Sequence, residues 1–111
     1  MDKLKLYRQA IKAVLKDYAN LSPSKDELLT QLIFDDEGGH YQLMYVGWDR
    51  GTRVYGVIIH IDLINGKAWL QYNGTEFDIA KELMAQGVER EDIVLGFYPK
   101  STRKYTDYAI T

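Results

Sequence analysis

Asn65-Gly66 stands between two apolar runs in the stretch Ile58–Glu76, IIHIDLINGKAWLQYNGTE. Asn-Gly favours a two-residue turn with both residues at positive φ, whose twist matches that of the strands it joins. The pair therefore fixes two antiparallel strands and their register. Counting outward, Leu63 faces Ala68, Ile61 faces Leu70 and Ile59 faces Tyr72, and Tyr55 and Val57 continue that apolar face. The same register puts Asp62 beside Trp69, His60 beside Gln71 and Ile58 beside Asn73 on the opposite face.

The rest of the chain falls into place around this hairpin. Leu4, Tyr7, Ile11, Val14, Leu15 and Tyr18 recur at spacings of three and four, which predicts a long N-terminal helix with one buried stripe. Lys5, Arg8, Lys12 and Lys16 fall on its outer side; phosphate contact is one reading of them and a solvated surface the plainer one. Pro23 disfavours a helical Ser22 and ends the helix. From about Glu27, strand-type runs are separated by turn signals at Asp36–Gly39, Asp49-Arg50-Gly51 and Asn65-Gly66. The expected fold is α+β, a four-stranded antiparallel meander with the N-terminal helix and a second helix after the last meander strand. That second helix is expected at about Phe77–Gln86, with Thr75 as N-cap, Asp78 three residues on and Gly87 just past its end. Ile93–Phe97 reads as a short buried strand or turn. The 111 residues fit a single domain, 1–111.

A three-residue Asp49-Arg50-Gly51 loop would set Leu43 against Val57 and Tyr45 against Tyr55 on the core side. Met44, Val46 and Trp48 then join Val54 and Ile58 on the second face, beside His60, Asp62, Trp69 and Gln71. An antiparallel sheet with one wet face alternates between apolar and polar positions. This second face mixes the two. Either a helix or the C-terminal tail covers it, or a second protein does, and both can hold at once. Met44, Trp48, His60, Asp62, Trp69 and Gln71 are accordingly the candidate partner-interface residues.

Few chemistries fit the remaining composition. Cysteine is absent, which excludes disulfides and thiol catalysis and fits a cytoplasmic protein. Two histidines without cysteine provide too few ligands for a closed structural zinc site, so no metal site is expected. No apolar run is long enough to span a membrane, and the N-terminus has no signal-peptide pattern. His60 and Asp62, two apart on one strand, could form an acid–base couple or part of a metal site, but no third ligand stands at a recognisable spacing. A structural hydrogen-bonding role outweighs catalysis for this pair. His40, after Gly38-Gly39, reads as surface. The glycines form neither a G-x-G-x-x-G nor a Walker A pattern, so no cofactor is expected. The net charge of −2 lacks the basic footprint of a protein that holds DNA alone. Arg103 and Lys104 near the end are candidate phosphate contacts, against the plainer reading of a tail ordered on the sheet by its tyrosines.

The stretches YGVIIHIDLINGKAWLQ, GTEFDIAKELMAQGV, DIVLGFYP and RKYTDYA together resemble the fdxN-element excision controlling factor family, XisI, and the resemblance extends over nearly the whole chain. Two short stretches depart from the family pattern: Tyr98-Pro99-Lys100 stands where His-Pro-Pro is frequent, and Asp107-Tyr108-Ala109 where Gly-Phe-Ala is frequent. The resemblance implies a small cyanobacterial α+β protein that supports excision of a DNA element from nitrogen-fixation genes during heterocyst differentiation. It also implies a XisH-like partner of nuclease-type fold, and it brings no catalytic residues. Three functions compete: an accessory factor that binds such a partner, with homo-oligomerisation through the second face as a further use of that surface; a DNA-binding factor acting on the element ends; and an enzyme using His60 and Asp62. The acidic balance opposes the second and the missing motif the third, so contact with DNA is expected to be indirect.

Overall fold

A computed structural model describes residues 2–111. Helix α1 (Lys3–Leu21) is followed by strands β1 (Leu28–Asp35), β2 (His40–Asp49), β3 (Thr52–Ile64) and β4 (Lys67–Asn73). Helix α2 (Ile79–Ala85), a 3-10 turn (Arg90–Asp92), strand β5 (Ile93–Leu95) and a one-turn helix α3 (Lys100–Arg103) complete the chain. The strands form one sheet in the order β1-β2-β3-β4-β5. The first four make the expected antiparallel meander, and β5 extends it by pairing parallel to β4.

Asp2 caps α1 by accepting from the backbone N–H groups of Leu4 and Lys5. The helix buries Tyr7, Ala10, Ile11, Val14 and Leu15, while Leu4 at one end of the expected stripe stays exposed. This stripe and Ile79, Ala80 and Leu83 of α2 pack on Tyr41, Leu43, Ile59, Ile61, Ala68 and Leu70 from alternate strand positions. Lys12, on the outer side of α1, is bound to Asp36 at 2.6 Å. Tyr7 anchors the far end of the core: its hydroxyl donates to Asp92 at 2.6 Å and accepts from the Glu89 N–H, and Lys3 reaches the same Asp92 oxygen at 2.7 Å.

Helix α2 begins later than its sequence suggests. Asp78, not Thr75, is the N-cap, accepting from the Lys81 N–H. Thr75 instead belongs to a turn held by Asn73, whose side-chain oxygen accepts from both the N–H and the hydroxyl of Thr75. Gly87 ends the helix at φ +106° with bonds from Gly87 N–H to Met84 and from Val88 N–H to Leu83, the Schellman pattern.

The Asn65-Gly66 turn has both residues at positive φ, and Ile61 pairs with Leu70. Three departures then alter the register further along. Arg50-Gly51 forms a two-residue turn with both φ positive, so Asp49 pairs with Thr52, where a three-residue loop was expected. A bulge at Ile58 inserts one residue into β3, so that Leu43 meets Ile59 while Met44 meets Val57 and Val46 meets Tyr55. Tyr55 and Val57 thus lie on the second face and not on the core face, and Val54 and Ile58 leave it. A second bulge in β4 pairs His60 with Tyr72 in place of Gln71 and Ile59 with Asn73, which moves Tyr72 off the core face too. A shift of one residue inverts every side chain beyond it.

Candidate functional site

The helices cover one face of the sheet, and the other face divides into two regions. At the β4–β5 end the C-terminal segment lies against it. The Arg103 guanidinium sits 5.0 Å from the Trp69 ring centroid, and Ala109 bridges to Val94, which is fully buried. Arg103 also donates to the carbonyls of Tyr98 and Ile110. It therefore ties the tail together, whereas Lys104 is exposed beside the Tyr105 ring. Gly96 approaches Trp69 and Gln71 so closely that an added Cβ would stand 2.5 Å from the Gln71 amide oxygen. Trp69 is half-buried in consequence.

At the β1–β3 end nothing among the described residues lies over the sheet to the same degree. Trp48 and Tyr55 are 48% and 71% exposed, Leu29 and Ile33 of the edge strand are exposed on the same face, and Tyr72 of the neighbouring β4, paired with His60, is 51% exposed. Arg53 stands over both Trp48 and Tyr55, 5.5 and 5.8 Å from their ring centroids. Met44 is buried at the centre of this end, paired with Gln31 and Val57. Of the interface candidates, Met44 and Trp48 thus belong to the open region, and Trp69 and Gln71 to the margin of the covered one. The sequence reading missed Tyr55 and Tyr72 because the bulges reverse their facing.

Between the two regions lies a polar cluster. Asp62 is 8% exposed and accepts three hydrogen bonds. His40 Nδ1 and His60 Nε2 each stand 2.8 Å from Asp62 Oδ1, and the Gln71 amide donates to Oδ2 at 3.1 Å. The nitrogen of each ring that faces the ionised carboxylate must carry a proton to donate to it, Nδ1 on His40 and Nε2 on His60. Burial disfavours the charge on Asp62, but the bonds from His40, His60 and Gln71 outweigh it and hold the carboxyl below its usual range. The hydrogen bond to Asp62 in turn raises the affinity of His40 for a proton.

The register explains the cluster. His40 pairs with Asp62, and Gln42 with His60, so two adjacent strands converge on one carboxylate. His40, read from sequence as surface, is the residue that joins His60, Asp62 and Gln71. The signal was available: parity along β2 from Met44 back to His40 places both on the second face.

The model of the family described as XisI protein matches residues 1–110. The chain belongs to the XisI family. Among solved structures, a XisI-like protein from Anabaena variabilis is 44% identical, with a TM-score of 0.91, the match covering 97% of this chain and 99% of that one. The fdxN element excision controlling factor XisI from the same organism is 36% identical with a TM-score of 0.87, covering 99% of this chain and all of that one. A comparison with curated proteins found no match. No helix among the described residues is long and apolar enough to cross a membrane.

Proposed function

We propose that this XisI-family chain is a non-catalytic controlling factor for excision of a DNA element, acting in the cytoplasm by holding a XisH-like, nuclease-fold partner on its open sheet face. The fdxN element and heterocyst differentiation are the setting that the family resemblance implies. One observation carries the reading: Trp48, Tyr55, Leu29 and Ile33, with Tyr72 on β4, leave much of one sheet face exposed and apolar while a fully formed core lies on the other. Contiguous exposed apolar surface marks interaction sites, and aromatic anchors dominate their energetics. DNA contact is secondary in this reading, because the chain is net negative and Lys12 and Arg103 are engaged within the fold.

Co-expression with a XisH-like protein, followed by size exclusion, tests it. Wild type should co-elute with that protein, and a Trp48→Ala/Tyr55→Ala double variant should elute apart while keeping its circular dichroism. Co-elution that survives the double variant would move the interface elsewhere. Sub-micromolar, sequence-specific DNA binding by the chain alone at about 150 mM salt would replace the reading with direct DNA recognition.

A further inference from the structure

The polar cluster carries more than a structural hydrogen-bond network requires. The chain has only two histidines, twenty positions apart, and the fold brings both to one oxygen of one nearly buried carboxylate. Their donor atoms and that of Asp62 all lie within 4.8 Å of one another. A first-row divalent ion holds imidazole nitrogen and carboxylate oxygen at ~2.0–2.2 Å, which sets neighbouring donors ~3.0–3.5 Å apart. The two histidine nitrogens already stand 2.8 Å from Asp62 Oδ1. Side-chain torsions that move each nitrogen a little away from Oδ1 and bring the two nitrogens, now within 4.8 Å of each other, to a similar separation would admit the ion, with the strand backbones left in register.

The surroundings fit the same use. The donors come from two hydrogen-bonded strands, a scaffold that holds ligand positions more rigidly than a loop does. The Gln71 amide fixes the second oxygen of Asp62, as an outer partner does for a ligating carboxylate. His40 is exposed, so the solvent side of the site is open to further ligands. Two imidazoles and a carboxylate with open positions do not suit Ca2+ or Mg2+, which take oxygen ligands, nor Cu+, which prefers sulfur.

We propose that His40, His60 and Asp62 bind a divalent transition-metal cation of the Zn2+ type, with Gln71 orienting the carboxylate and water completing the coordination on the exposed side. This open three-ligand site differs from the closed cysteine-rich zinc site that the composition excludes. The ion takes the place of the two hydrogen-bonding protons between the imidazoles and Asp62, each ligating ring keeping its single proton on its other nitrogen, Nε2 of His40 and Nδ1 of His60, and it clamps β2 to β3. This inference is independent of the partner reading above.

The test uses the full chain without a histidine tag, stripped with a chelator, dialysed and titrated with ZnCl2 by calorimetry. Co2+ absorption serves as a second readout of coordination. Wild type should bind one ion per chain and melt at a higher temperature with Zn2+ than without. His40→Ala, at an exposed position, should keep the fold, lose the zinc-dependent rise in Tm and bind at least about tenfold more weakly. Gln71→Leu should bind more weakly than wild type with the stoichiometry unchanged. Wild-type affinity no greater than that of His40→Ala, or one-to-one binding that persists in the His40→Ala/His60→Ala double variant, would overturn the assignment and leave the cluster as hydrogen bonds alone.

Discussion

The two faces of the sheet are built from the same strands, from alternate residues, yet they end in opposite conditions. Toward the helices, Leu43, Ile59 and Ile61 are fully buried with Tyr7, Ile11 and Leu15. On the other side, Trp48, Tyr55 and Tyr72 keep about half or more of their surface in water. Hydrophobicity alone does not separate the two sets, since tryptophan and tyrosine offer as much apolar area as leucine. What separates them is the supply of covering elements. Helices α1 and α2 provide one complete layer, whereas the short C-terminal segment provides only part of another. The covered face accounts for the core, and the incompletely covered one is the face proposed above for recognition.

The largest test of that contrast is a pair of truncations. Ile61→Ala should cost about 4 kcal/mol in urea denaturation, as expected for a fully buried aliphatic side chain. Tyr55→Ala, one strand face away, should stay within about 0.5 kcal/mol. Equal costs would break the distinction between the faces.

Gly47 sharpens it at the hairpin end of the covered side, where backbone rather than a helix closes the sheet. It adopts φ +147°, and an added Cβ would lie 1.9 Å from the Glu27 carbonyl oxygen. The Trp48 N–H donates to that same carbonyl. Gly47→Ala should destabilise by about 3 kcal/mol, measured by the same denaturation. Little change would mean that the segment before β1 shifts freely.

Trp69 lies on the boundary between the two conditions. Half-buried under Arg103 and against Gly96, it should cost about 2 kcal/mol on truncation to alanine, less than a fully buried aromatic. If Trp69→Ala also abolishes association in molecules that remain folded, the interface extends under the tail. If association survives, the tail end belongs to the fold alone.

The smallest expected effect concerns acid. Burial opposes ionisation of Asp92, but the bonds from Lys3 and Tyr7 prevail and its carboxyl titrates below the usual range. A lowered folded-state pKa contributes stability that is present above the unfolded value, near pH ~4, and is lost as pH falls through the folded one. The urea midpoint should therefore decline on going from pH ~5 to pH ~3. Asp92→Asn should flatten part of that decline, and an unchanged slope would show that the covered face does not depend on this anchor.

The sequence made some features legible because they obey local rules. Asn65-Gly66, the stripe on α1 and Gly87 each state their conformation within a few residues, and all three are found as read save that Leu4, at the start of the stripe, stays exposed. The turn at Arg50-Gly51 was harder, since arginine at positive φ carries no strong signature and a three-residue loop fitted the letters equally well. The bulges at Ile58 and in β4 are harder still. Nothing in a run such as YGVIIHIDL marks which residue is extra, because the choice depends on how the facing strands pack. The facing of Tyr55, Val57 and Tyr72 followed from that missed parity. His60 and Asp62 were identifiable as a pair, but their third member required the pairing of β2 with β3.

The connections between strands also differ in length. Asp36–Gly39, Arg50-Gly51 and Asn65-Gly66 close three pairings locally, whereas β5 reaches β4 only after the whole passage from Gly74 to Asp92. Closing a longer loop costs more entropy before its contacts compensate, and non-local pairings form slowly. The meander can assemble early on its own turns, with β5 and the tail that follows it docking late. The same order in reverse makes the tail end the first part to open in the native state. Amide exchange should then be faster at Ile93–Leu95 and Ala109 than at Leu43 or Ile61, with Trp69 uncovered in brief openings that release Ile93 from the helix-packed core and leave the rest of it intact.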